Sequence, residues 1–392
     1  MKSISREIQS KYRFSNNTFV HTAKNEKQDK IEVEIGDSKQ PDFKPQFKVM
    51  RWDNEVNFSV RAKEHDEARV EFDGEKIKYI TTEYEVHQYD RPDISEDGGF
   101  EFEWVLPKKP IKNTFTATIQ SKGLSFFYQG ELTEEELKMG RSRPENIIGS
   151  YAIYSTLKRI NYVGGKIYGT GKVGHIYRPK AVDAKGKETW AELNIKDGIL
   201  SVIVPRDFLD KATYPVTVDP TFGNDTVGGT NGTYSNTVHP FCSLYNTLVA
   251  VTGDEITQYS LYAANSGSSP SVEIAAYSVV SGAAASRLTT ALNLSVSSST
   301  PQWWNTGVVS HSLVNGVEYG VAFGNWNFDI KLYTDDPGFG TNIDYEDTDA
   351  ALPATWGRQT TYRDILSVYA IYKHRNIDIN YSYNIFIDKG KL

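Results

Sequence analysis

Apolar and polar residues alternate with a period of two along most of the first half of the chain. Ile31, Val33 and Ile35 alternate with Glu32 and Glu34, and Val56, Phe58 and Val60 with Asn57, Ser59 and Arg61. Phe100, Phe102, Trp104 and Leu106 alternate with Glu101 and Glu103, and Phe115, Ala117 and Ile119 with threonines. This pattern predicts antiparallel strands with one face on a core and the other in water. Asp73-Gly74, Asp97-Gly98-Gly99, Lys122-Gly123 and Asp197-Gly198 supply the turns. Helix is scarce. Thr133 to Met139 is the best candidate, because Thr133 and Glu136 can form a capping box and Gly140 can end the helix. A shorter turn of helix is predicted at Arg206 to Leu209.

The second half is also strand-rich, with strands predicted at Leu248–Val251, Ile256–Ala263, Val272–Val280, Val317–Phe323 and Ile365–Tyr372. Their spacing, with almost no helical periodicity, points to a sandwich or jelly roll. The longest unbroken alternation comes last: Ile377, Ile379, Tyr381, Tyr383, Ile385 and Ile387 against polar residues and Phe386. A terminal strand this long is either one more edge of the same domain or a template that pairs with a neighbouring subunit.

Charge then divides the chain. Residues 1–220 carry 35 Lys+Arg and 35 Asp+Glu, whereas residues 221–392 carry 8 and 15, so the second part holds the whole net charge of −7. The shift falls on a Gly/Thr/Asn-rich stretch, which reads as a boundary. The expected organisation is an N-terminal arm over 1–30, a β-rich scaffold or docking region over 31–220, a linker over 221–236, a jelly-roll-like sandwich over 237–375 and the terminal strand over 376–392. The short helix, near 131–142, either separates two modules of the scaffold region or interrupts one. The fold class is therefore all-β, with N-terminal antiparallel sandwich modules, a C-terminal jelly-roll-like sandwich and very little helix.

The single cysteine, Cys242, rules out a disulfide scaffold, a thiolate zinc site and an iron–sulfur cluster. No apolar run approaches the roughly 18 residues of a spanning helix, and the start MKSISREIQSKYRF lacks a signal-peptide core. The seven histidines show no metal-ligand spacing, and no nucleophile elbow or dinucleotide fingerprint is present. Gly164-Gly165-Lys166 lacks the ending of a phosphate loop and reads as a hairpin. The carboxylate pairs Glu83/Glu85 and Glu101/Glu103 are expected on solvent faces rather than in a catalytic cleft. The acidic run from Asp335 to Asp349 reads first as a solvated loop, with Asp344, Glu346, Asp347 and Asp349 as weak calcium candidates. Trp303, Trp304, Trp326 and Trp356 lie beside Asn or Gly-Arg and could stack on sugar rings, or fill the core. Adjacent Trp303 and Trp304 on a strand must point to opposite faces.

Several stretches resemble largely uncharacterised structural proteins of tailed phages and phage-like metagenomic contigs. They include IEVEIGDSKQPDFKPQF (31–47), RWDNEVNFSV (51–60), GGFEFEWVLPKKP (98–110), RPENIIGSYAIY (143–154), GKVGHIYRPKAVDAKG (171–186) and YPVTVDPTFG (214–223). This resemblance covers roughly half of the chain and carries no catalytic residues. Residues 254–323 more loosely resemble jelly-roll modules of phage appendages and secreted carbohydrate-active proteins. The resemblance implies a virion protein, made without a signal peptide and exposed on the particle surface, as a head fibre, decoration or tail-associated component. Its implied partners are capsid or tail proteins; the residue patterns add further copies of the chain through Ile377–Ile387 and a host surface glycan, and give no expectation of a cofactor, nucleic acid or membrane. A carbohydrate-binding adhesin is the alternative, and a polysaccharide depolymerase the third reading.

Overall fold

The computed structural model describes residues 13–15, 17–24, 30–51, 54–65, 67–73, 76–91, 93–94, 98–156, 172–223, 227–234, 240–250, 252–324, 329–338, 343–345, 351–357, 360–362 and 364–374. The chain is all-β: antiparallel sheets, with only two short helices among the described residues, Glu134–Lys138 and Arg206–Lys211. Period-two alternation becomes burial directly. On strand Val56–Ala62 every second residue is buried, and Ile31, Val33, Phe47, Val60, Phe102 and Trp104 all reach a common core. Fully burying such a side chain contributes about 1.5–3 kcal/mol.

Among the described residues, an eight-stranded and an eleven-stranded sheet enclose that core. Phe47 of the first meets Phe102 of the second at 5.8 Å, and Phe58 stacks on Phe222 at 5.9 Å. One contiguous cluster runs from Phe19 to Phe222. Strand Thr114–Lys122 pairs with both Val56–Ala62 and Ile199–Ile203, so segments before and after the short helix share one sheet. The helix has its predicted start: Thr133 accepts from Glu136 N, and the Glu136 carboxylate accepts from Thr133 N.

A second sandwich follows, built among the described residues from two seven-stranded sheets. Its core joins Ile256, Tyr259 and Leu332 of one sheet to Ile274, Phe323 and Ile343 of the other. The Gly/Thr/Asn-rich stretch is not a free linker. Strand Thr221–Gly223 pairs with Gly99–Glu101 in the first sandwich, and Thr230–Tyr234 pairs with Ile330–Thr334 in the second. Between the two strands, Gly228 N and Gly229 N donate to the side chains of Ser367 and Asp335, each at 2.8 Å, which composition alone does not reveal.

Candidate functional site

Two arrangements stand out: a row of aromatic rings on the second sandwich and a buried polar junction between the sandwiches.

The aromatic row starts from strand Gln302–Asn305, which pairs with Asp254–Asn265 so that Trp303 lies opposite Tyr262 and Trp304 opposite Leu261. Alternation sends the two indoles to opposite faces. Trp304 packs on the core side and donates from Nε1 to the Ala263 carbonyl at 2.9 Å. Trp303 lies on the outer face with its ring centroid 5.3 Å from Tyr262 and 4.8 Å from Tyr369, and Tyr262 in turn lies 5.0 Å from Tyr333. Tyr369 is buried, whereas Trp303, Tyr262 and Tyr333 are half-exposed. Burial, reinforced by Tyr262, pushes the Tyr333 hydroxyl up to about 12, so it stays neutral. Alongside, the exposed Asn305 accepts at Oδ1 from the fully buried Ser260 at 2.5 Å. Neutral hydroxyls and amides next to ring faces suit a polar, uncharged ligand with apolar C–H patches.

The other predicted aromatics do not join this row. Trp356 is 7% exposed and packs edge-on against Tyr277 at 5.0 Å, in a small separate core with Cys242. A ring enclosed in this way offers no face for stacking. Trp326 lies outside the described residues, as do Ile377, Ile379, Tyr381, Tyr383, Ile385 and Ile387. Tyr262, Tyr333 and Tyr369 escaped the sequence reading because cross-strand register, not spacing, brings them together. Of the calcium candidates, Asp344 lies on strand Ile343–Tyr345, and Glu346, Asp347 and Asp349 lie outside the described residues. Among the described residues no group of three or more His, Cys, Asp or Glu is arranged to hold a metal ion.

Asp335, expected in a solvated loop, is instead completely buried at the junction. Lys172 of the first sandwich pairs with Asp335 Oδ2 at 2.8 Å, and Tyr154 donates to the same oxygen at 2.8 Å. Gly229 N donates to Oδ1 at 2.8 Å. Burial pushes the Asp335 carboxyl up, but Lys172, with His175 and the Gly229 N–H, outweighs it and holds it below its ordinary value. The capping box extends into this contact: Glu136 also accepts from Arg141, whose other nitrogen bonds Thr334 Oγ1 at 2.9 Å and pairs with Asp364 at 3.0 Å. The Gln129 amide and the backbone of Asp336 bond reciprocally at 2.8 and 3.0 Å. At Gly228 a side chain would meet the Thr334 backbone within 2.7 Å, so only glycine fits the crossing.

His175 completes the junction. Ser150 gives its proton to the Ile147 carbonyl at 2.5 Å and lies 2.6 Å from His175 Nε2. The ring therefore donates from Nε2, leaving Nδ1 a buried acceptor with no partner. Burial, then the positive charge of Lys172, pushes His175 down to about 3, so the ring is neutral. Both residues are sealed from solvent, and the pair packs the junction rather than presenting a nucleophile.

Glu101 and Glu103, expected on a solvent face, are buried at 1% and 5% exposure because flanking strands lay long polar side chains over them. Glu103 accepts from Lys76 at 2.9 Å, His87 at 3.1 Å and Tyr89 at 3.2 Å. Glu101 accepts from Arg91 at 2.6 Å, and Thr221 Oγ1 sits between its Oε2 and Asp219 Oδ1. Burial and the adjacent Asp219 raise Glu101 well above the usual carboxylate range. For Glu103 burial also raises, but His87 and Lys76 prevail and hold it low. Glu83 is exposed in a turn, and Glu85 bonds His87 Nε2 at 2.8 Å. No family model matches the chain, and no curated protein matches it.

Proposed function

We propose that the chain is a non-enzymatic structural component of a tailed-phage particle, in which the first sandwich docks and the second is displayed. The observation that carries this reading is the bonded junction: two β sandwiches locked by the buried Lys172–Asp335 pair and the Arg141–Asp364 pair. A hinge would leave such groups to water, whereas a display element has to hold its outer domain in a fixed attitude. The phage-like wording of residues 31–223 supplies the particle context. The test is mass spectrometry and immunogold labelling of purified particles: stoichiometric recovery supports the reading, and absence from intact particles refutes it.

A second, compatible reading is that the displayed sandwich binds a host surface glycan. The row Trp303–Tyr262–Tyr333, with the exposed Asn305 beside it, favours this. Glycan-array binding lost in Trp303→Ala, with a cooperative thermal melt showing that the domain stays folded, would support it. An array on which the native chain binds nothing would remove it. Breakdown of host polysaccharide by the purified chain would favour the depolymerase reading over both.

A further inference from the structure

We propose that the loop 107–113 is a preformed docking knob that fits an acidic, apolar-pocketed face of another particle protein; this rests on the structural reading above and names the contact it requires.

The loop PKKPIKN leaves strand Gly99–Leu106 and enters strand Thr114–Lys122. At its tip Ile111 is 96% exposed, more than any other large apolar side chain described. An isoleucine so placed on a loose loop would be unremarkable, but this loop is held. Arg206 Nη1 donates to the Pro110 and Ile111 carbonyls at 3.2 and 3.0 Å. Asn113 is bonded to Val204 through both its side chain and its carbonyl, each at 2.9 Å. Lys109 pairs with Asp210 at 3.0 Å, and Arg206 pairs with the same carboxylate at 3.1 Å. The helix Arg206–Lys211 thus clamps the loop with its apolar tip outward. A knob ordered in advance loses little conformational entropy when it docks.

Charge selects the partner. Lys108 and Lys112 flank Ile111, are exposed and carry no ion pair among the described residues. The neighbouring hairpin adds exposed Lys185 and Lys187, and is tied to the segment that follows the helix by Thr213 N donating to Asp183 at 2.9 Å. An apolar anchor ringed by cations is complementary to an apolar pocket ringed by carboxylates. A phosphate backbone offers no such pocket, and a single exposed isoleucine is too little to anchor in a bilayer.

Position agrees. Thr221–Gly223, which leads to the second sandwich, pairs with the Gly99–Glu101 end of strand Gly99–Leu106. The knob leaves the opposite end, roughly 23 Å away at about 3.3 Å per residue. Docking there leaves the second sandwich free for display.

The experiment adds purified full-length chain to particles produced without it, and compares the native chain with Ile111→Ala and with Lys108→Glu/Lys112→Glu. Both changes lie at exposed positions, and unchanged melting temperatures verify folding. Native occupancy that falls with salt, and roughly tenfold weaker binding by each variant, is the result expected for an apolar anchor with a charged rim. Native occupancy with both variants equally bound overturns the knob and leaves the particle reading standing. A chain absent from native particles, and unable to occupy those made without it, overturns the particle reading and the knob with it. Self-association of the native chain through Ile111 and these lysines overturns the inference by making a second copy the occupant.

Discussion

His175 should make the protein lose stability as the pH falls below about 6.5. The folded ring, buried beside Lys172 and Arg143, is pushed down from 6.5 to about 3. The unfolded chain takes up a proton as pH falls below 6.5, and the folded chain does not until near 3. Stability is therefore fully present above 6.5 and is lost at about 1.4 kcal/mol per pH unit below it. At pH 5 this amounts to about 2 kcal/mol. Asp335, held below its ordinary 3.8, adds a loss only at lower pH, so it does not obscure this window. Glu101 acts with the opposite sign: its raised carboxyl disfavours the folded state as pH rises past 4.5. Comparing native and variant chains at each pH cancels that contribution. In His175→Gln the amide N–H can still reach Ser150, but the position no longer titrates. Urea unfolding followed by tryptophan fluorescence at pH 7.5 and 5.0 measures the difference. The native chain should lose about 2 kcal/mol more than the variant between these two conditions. Equal losses would show that His175 is protonated in the folded protein or reached by water, and would refute the burial argument.

Four further outcomes follow from the same interactions. Lys172→Met leaves Asp335 buried without its cation and should destabilise by about 3–5 kcal/mol in urea unfolding, with Lys172→Met/Asp335→Leu recovering much of the loss. Gly228→Ala forces a methyl against the Thr334 backbone and should cost about 1–3 kcal/mol, seen as earlier proteolysis between the two sandwiches. Glu101→Gln removes a carboxyl that resists ionisation, so the variant should gain stability over the native chain at pH 8 and lose that advantage below pH 4.5, as thermal melts would record. Trp356→Ala opens a cavity against Tyr277 and should cost about 3–5 kcal/mol, whereas half-exposed Trp303→Ala should cost distinctly less in the same melts.

The strands were legible because alternation is a local property. Ile31, Val33, Phe58, Phe102 and Trp104 could be assigned to a core without knowing their partners. The capping box at Thr133 and Glu136 was equally local. Opposite placement of Trp303 and Trp304 followed from the pleat alone. Trp356 was not separable from a surface tryptophan, since Tyr277, which covers it, is 79 residues earlier in the chain. Glu101 and Glu103 show the limit of the alternation rule: it predicts which face a residue takes, not whether Lys76, Tyr89 and Arg91 will cover that face.

By itself the sequence determined an all-β chain of two regions with different charge character, because periodicity and composition are written residue by residue. Only the tertiary structure decided that these regions are bonded to each other. Lys172 and Asp335 are 163 positions apart, and Arg141 and Asp364 are 223 apart. A charge in an acidic run is indistinguishable from a solvated one until the fold brings its counter-ion and excludes water. The −7 of the second region is therefore not all surface: Asp335 and Asp364 are spent inside the junction, where desolvation makes pairing obligatory.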